Sequence, residues 1–324
     1  MNRDQTDNSY FNVAHGVWGM KDIFVNIYMI RNEDKKSWVL VDAGLKTSFH
    51  KIQKMAADLF GEGIAPSAIV LTHGHFDHVG SLLDLAEFWK VPIYAHPLEF
   101  PYLTGSSSYP PADPSVGGGL MAFMADLYPN SPIDVEEYLL HLPDDYTLPG
   151  LPDWRYIHTP GHAPGHVSFW REKDKTLIAG DAFVTTKQES ALAVMLQSKI
   201  ISGPPKYFTY DWKQSEESVQ SLVALQPEII ATGHGQPMSG EEMLDELTAL
   251  KDNFRQRAVP KKGRYVNNPA VADASGILYV PPKNKNSATP LITIGFVVSV
   301  LAFSWVLWSG KVRKEDILSP LGSY

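Results

Sequence analysis

Apolar and polar positions alternate loosely through residues 17–30, and the mostly apolar run Ser37-Trp38-Val39-Leu40-Val41 that follows is stopped by Asp42-Ala43-Gly44. Patterning with a period near two predicts successive β-strands. Across 47–60 the period changes: Ile52, Met55, Ala56 and Leu59 fall at helical spacing, and Gly61 and Gly63 end the run, so a helix is expected. Residues 68–72 read as a strand, 81–89 with Leu82, Leu83, Leu85 and Phe88 as a helix, and 91–95 as a further strand. The same order resumes later, with strands at 154–158, 167–170 and 176–179, a helix over 212–225, a short buried strand at 228–231 and a helix over 240–257. Glu241 and Glu242 open that last helix, where their charge complements the helix dipole. Both halves run strands, helix, strand, which predicts an α/β fold of two similar layers facing each other.

Two stretches break this rhythm. Residues 96–141 interleave Gly105, Ser106-Ser107-Ser108, Pro110-Pro111 and Gly117-Gly118-Gly119 with a helical patch over 120–127, and 182–211 are also irregular. Long inserts in a compact domain commonly form lids or binding loops, so the first is expected as a lid or pocket wall and the two together are expected to set the substrate.

The ends differ from the middle. Residues 1–12 read as a polar tail without the apolar core of a secretory signal. Residues 258–288, with paired prolines, paired asparagines and scattered lysines, read as a linker after a domain spanning 13–257. Residues 289–308 hold no charge, and their length and terminal tryptophans predict a transmembrane helix in contact with the lipid bilayer, followed by a short tail at 309–324. Lys311, Arg313 and Lys314 outnumber Lys283 and Lys285 across this run, which favours a cytoplasmic tail. Exporting a whole domain that lacks a signal weighs more, so a single-pass C-terminal anchor with a cytoplasmic catalytic domain is expected.

The chain has 324 residues, and 28 basic against 36 acidic side chains give a net charge of −8. That balance does not attract a phosphate backbone and argues against nucleic acid as a partner. There is no cysteine, which removes disulfides, thiolate ligands and a cysteine nucleophile together, so His, Asp and Glu must supply any metal ligands.

The densest chemistry lies in Leu71-Thr72-His73-Gly74-His75-Phe76-Asp77-His78-Val79-Gly80, three imidazoles and a carboxylate within six residues after an apolar run. Such a set suits borderline divalent metals such as zinc. Three further places put ligand-type residues at apparent strand ends beside glycine: His162 in Thr159-Pro160-Gly161-His162-Ala163-Pro164-Gly165-His166, Asp181 after Gly180, and His234 in Gly233-His234-Gly235. Small neighbours let the backbone turn sharply so that side chains can converge.

These motifs resemble those of the metallo-β-lactamase superfamily over about residues 13–257. The resemblance implies a four-layer αββα sandwich with its site along one edge of the two sheets. It also implies two zinc ions, with His73, His75 and His162 on one, Asp77, His78 and His234 on the other, and Asp181 bridging. A metal-bound hydroxide would then attack a carbonyl carbon, with Asp77 or Asp181 orienting the nucleophile or passing a proton to the leaving group. His166 is expected behind the metals, and His15, His50, His96, His141 and His158 match no ligand position.

Departures from the family's branches narrow the substrate. The lactamases proper commonly carry cysteine where Asp181 stands, and the di-iron oxygen-reducing members put Glu at the position of His75. The glyoxalase II-like and lactonase-like branches remain, which implies a small-molecule ester, thioester or lactone as substrate. Those lactonases commonly place Tyr three residues past the bridging Asp, where this chain has Val184; Tyr207 or Tyr210 is the candidate replacement as an oxyanion donor. Two alternatives use the same residues: an iron-dependent sulfur or persulfide oxidoreductase, and a membrane-anchored metal-binding interaction module without catalysis.

Overall fold

The computed structural model of the chain describes residues 10–32 and 37–283. Seven strands form one sheet in sequence order: Tyr10–Ala14, Val17–Asp22, Val25–Arg31, Trp38–Val41, Ala68–Val70, Ile93–Ala95 and Leu139–His141. The first four pair antiparallel through short connections, and the last four pair parallel, because crossovers through the helices Phe49–Phe60 and Leu82–Trp89 return the chain to the same edge. The second sheet has the order Met238–Ser239, Ile229–Ala231, Thr176–Ile178, Val167–Arg171, Leu151–His158 and Thr147–Leu148.

Alternation along the strands sorts side chains into the layers. Tyr28, Ile30, Val39, Val41 and Val70 pack with Trp154, Val167, Phe169 and Ile178 in a core between the sheets. One residue out of phase, Ile27, Met29, Leu40 and Ile69 pack against Ile52, Met55, Leu82 and Leu85 of the first two helices. Trp170, Leu177 and Ile230 do the same against the helices Trp212–Val223 and Glu241–Asp252, through Val219, Leu222, Leu247 and Leu250. Helix, sheet, sheet, helix is the expected αββα sandwich. It also explains why the central strands read as apolar runs: both of their faces are buried.

Several local expectations are corrected. The polar tail ends earlier than residue 12, since Tyr10, Phe11 and Asn12 pair with Met20, Gly19 and Trp18. The irregular stretch 96–141 ends in a strand, Leu139–His141, that closes the sheet edge. Residues 258–282, expected as linker, belong to the domain. Tyr265 is buried and donates its hydroxyl to Pro111 O at 2.6 Å, Ala270 N donates to Tyr210 O, and Val271–Asp273 pairs with Gly276–Tyr279 as a hairpin held by Ile277 N on Ser107 Oγ. The expected transmembrane run 289–308 lies outside the described residues; among those described, no helix is long and apolar enough to cross a membrane.

Trp38 anchors the outer layer of the first half. Its indole is buried, stacks on Phe60 with ring centroids 4.6 Å apart, meets Trp89 edge-on at 5.5 Å and donates Nε1–H to Ile64 O at 3.2 Å. Trp38→Ala leaves a large cavity that these rings cannot fill, so it should cost about 3–5 kcal/mol. Urea denaturation of the two proteins should read this as a lower midpoint at unchanged slope.

Candidate metal centre

All the site residues lie just past strand ends at one edge of the sandwich. Ala68–Val70 delivers His73 and His75 and then the short helix Phe76–Val79, which carries Asp77 and His78. Leu151–His158 leads to His162, Thr176–Ile178 to Asp181 and Ile229–Ala231 to His234. The seven residues named from sequence are all buried and come together. His73, His75 and His162 form one group that could hold a metal ion, Asp77, His78 and His234 a second, and His73, His78 and Asp181 a third that joins them. Glycine is required at 233, where a Cβ would collide with Asp181 Oδ1 and press on His78.

The hydrogen bonds around the first group set its protonation. Thr72 Oγ1 donates to Asp42 Oδ2 at 2.8 Å and therefore accepts from His73 Nδ1–H at 3.1 Å, leaving the lone pair on His73 Nε2. His75 turns Nε2 to the Tyr210 hydroxyl at 3.3 Å and Nδ1 inward, where it lies 2.9 Å from both His73 Nε2 and His162 Nε2. Three imidazole nitrogens thus converge on one buried point. Burial first, and neighbouring imidazoles next, hold His73 and His75 well below the ordinary histidine range; burial, opposed by Asp181, pushes His162 down to about 3. Neutral imidazoles with facing lone pairs repel each other in a dry site unless a cation lies between them. That donor set fits a divalent metal.

The second group is arranged around carboxylates. His78 Nδ1–H donates to Asp42 Oδ2 at 2.8 Å, while its Nε2 makes no hydrogen bond and lies 3.8 Å from Asp181 Oδ2. His234 Nδ1–H donates to Phe24 O at 2.6 Å, and its Nε2 lies 3.0 Å from Asp181 Oδ2 and 3.5 Å from Asp77 Oδ2. Burial opposes charge on His78, but Asp42, Asp77 and Asp181 outweigh it and raise the imidazole to about 10; His234 is raised for the same reason by Asp181 and Asp77. Burial would lift Asp181, yet His234, His78 and His162 hold it below the usual carboxylate range. Asp77 is raised, chiefly by burial. Buried Asp181 Oδ1 and His78 Nε2 have no hydrogen-bond partner among the described residues, and a cation bound beside His78 would take the place of the proton on Nε2.

Residues behind this set hold it in place, and the sequence singled out only one of them. His166, expected behind the metals, is there: it donates Nδ1–H to Thr159 Oγ1 at 2.8 Å and accepts the Asp181 backbone N–H on Nε2 at 2.9 Å. Asp42 takes the left-handed backbone conformation (φ 61°), rare for a residue with a Cβ, and from there holds Thr72 N, Thr72 Oγ1 and His78 together. Glu99 is buried and bridges two ligand loops, accepting from Gly165 N at 2.7 Å and Gly74 N at 2.8 Å and from the Tyr109 hydroxyl. Tyr109 in turn packs its ring 4.4 Å from His75. The only sequence signals were an acid closing an apolar strand at 42 and a lone acid in His96-Pro97-Leu98-Glu99. The remaining histidines are structural or exposed as expected, His96 stacking on His158 at 4.1 Å and His141 on Phe100.

The sequence profile of the Metallo-beta-lactamase superfamily matches residues 20–234. The chain belongs to this superfamily. Among superfamily relatives, the probable metallo-hydrolase YflN of Bacillus subtilis is 43% identical over 245 residues, covering 75% of this chain and 93% of that protein. The probable metallo-hydrolase YybB of the same organism is 31% identical, covering 63% of this chain and 79% of its own. In structure, the BLEG-1 B3 metallo-beta-lactamase aligns with a TM-score of 0.50 at 23% identity, over 75% of this chain and 97% of that one, a likeness of fold. The family and its relatives make this chain a metal-dependent hydrolase of the superfamily.

Glu99 gives the centre a testable pH signature. Burial, offset in part by Tyr109 and the two N–H groups, pushes its carboxyl up to about 7 from 4.5. A raised acid binds its proton more tightly when folded, so its contribution to stability is complete below pH 4.5 and is lost as pH rises through 7. Glu99→Gln should remove that decline from a urea-stability profile. Because an amide N–H must face one of the three donors, the variant should also retain metal about 10- to 100-fold more weakly in a chelator competition.

Proposed function

We propose that this chain is a dinuclear zinc hydrolase of carboxylic esters, thioesters or lactones. The observation that carries the reading is the convergence of His73 Nε2, His75 Nδ1 and His162 Nε2 on one buried point beside a second group joined to it through Asp181. A histidine at 75 rather than a carboxylate, and aspartate rather than cysteine at 181, favour acyl-bond hydrolysis over oxygen reduction and over lactam cleavage. When bound, the ions supply a nucleophile active at neutral pH and Lewis acidity towards a carbonyl oxygen.

The side chains supply the rest. Asp181 stays ionised, accepts a hydrogen bond from His234 Nε2 at 3.0 Å and lies between the two groups, orienting whatever occupies them. Asp77, whose Oδ2 lies 3.5 Å from His234 Nε2, is placed to take a proton from the nucleophile and pass it to the leaving group. With the His75 lone pair on Nδ1, Nε2–H donates to the Tyr210 oxygen at 3.3 Å, which leaves the Tyr210 O–H able to serve as an oxyanion donor. Tyr207 is the second candidate: its phenol is buried, and burial holds its pKa well above 10, so it stays protonated at neutral pH.

Zinc-loaded full-length protein should hydrolyse members of an ester, thioester and lactone panel without consuming dioxygen. Asp77→Asn should lower kcat about 10²- to 10⁴-fold, with metal content measured in parallel to separate proton transfer from metal loss. A zinc-replete protein inert to the whole panel, or turnover that requires iron and dioxygen, contradicts the reading.

A further inference from the structure

Around the approach to the metal centre stands a collar of apolar side chains that the domain does not cover. Ile23 is 65% exposed, Leu127 75%, Leu192 60%, Met195 70% and Leu196 64%. They come from three segments tied to one another and to the site. Lys21 Nζ donates to Val194 O at 3.1 Å, and Met121 N to Glu189 O at 3.2 Å. Phe24, next to Ile23, accepts from His234 Nδ1 and lies 6.4 Å, ring to ring, from Phe76, which stacks on Tyr128 next to Leu127 at 5.7 Å. The helix Ala191–Leu196 buries none of its residues. Apolar side chains gathered at one place in this way mark a surface that something covers.

Charge identifies what covers it. Residues 182–210 carry Lys187, Lys199 and Lys206 against a single acid, Glu189, which is buried, and Asp126 is the one acid on the other two collar segments, in a chain of net charge −8. Leucine and methionine flanked by lysine match acyl chains under anionic headgroups. A second copy docking through the same face would set lysines against lysines. The same chain also carries the uncharged run 289–308, so a lipid surface is a partner that its composition suits twice over.

We propose that the collar of residues 23–24, 120–128 and 191–200 docks on an anionic lipid surface and turns the mouth of the metal centre towards the bilayer. The docking rests on surface chemistry and stands apart from the hydrolytic reading, so either can fail without the other.

The chain has no cysteine, so Met195→Cys in the full-length protein gives one labelling site, and Ser221→Cys, exposed on the outer helix Trp212–Val223, gives a control. Each is labelled with a polarity-sensitive fluorophore and mixed with phosphatidylcholine vesicles with and without phosphatidylglycerol. Docking predicts a blue shift and a several-fold rise in emission at position 195, none at 221, a weaker response without the anionic lipid, and its loss in Leu192→Glu/Leu196→Glu with metal content and thermal unfolding unchanged. Co-sedimentation with vesicles and no change at 195 would overturn the proposal, because attachment then runs through another part of the chain. A blue shift already present without vesicles would also overturn it, with growth on concentration assigning the collar to a second copy and constancy assigning it to the chain's own remaining residues.

Discussion

Three imidazole nitrogens facing one another in a buried, water-poor pocket are the constraint on which the rest of this structure depends. Left alone, His73 Nε2, His75 Nδ1 and His162 Nε2 at 2.9 Å spacings oppose folding. The fold accepts that cost because each ring is fixed from behind: His73 through Thr72 and Asp42, His75 between Tyr109, Phe208 and Tyr210, and the loop of His162 through Gly165 on Glu99. The two sheets make this possible. Their strands all release the chain at one edge of the sandwich, so ligands far apart in sequence meet without any long strand having to bend.

The two halves of the centre are prepared differently. The imidazoles of the first group are held low by burial, while the carboxylates around His78 and His234 raise those two, so a cation entering the second group must displace their protons. Asp181 belongs to both halves, and its low pKa keeps an anion between them. The protein therefore offers three imidazoles on one side and imidazoles mixed with a carboxylate on the other, two unlike donor sets that share Asp181.

Much of this was legible in the sequence because it is local. The changes of period marked most of the central strands and the long helices, and the His73 to His78 motif and the three glycine-flanked residues His162, Asp181 and His234 fall where the structure gathers them. What was not legible depends on long-range contacts. Asp42 acts on Thr72 and His78 thirty and thirty-six residues away, and Glu99 reaches Gly165 across sixty-six; neither has a local pattern to mark it. Residues 258–282 read as linker because of their paired prolines, paired asparagines and lysines, yet a few contacts through Tyr265, Ala270 and Ile277 hold them on the domain. Tyr210 was grouped with Tyr207 by proximity in sequence, and only geometry separates the one that orients His75 from the one that does not.

Anomalous diffraction at the zinc edge from crystals of the zinc-loaded protein tests the central claim most directly. Two adjacent peaks are expected, one facing His73 Nε2, His75 Nδ1 and His162 Nε2, and one among Asp77, His78 and His234, with Asp181 between them. A single peak elsewhere, or a ring flip that turns His75 Nδ1 away from the metal, would contradict the account.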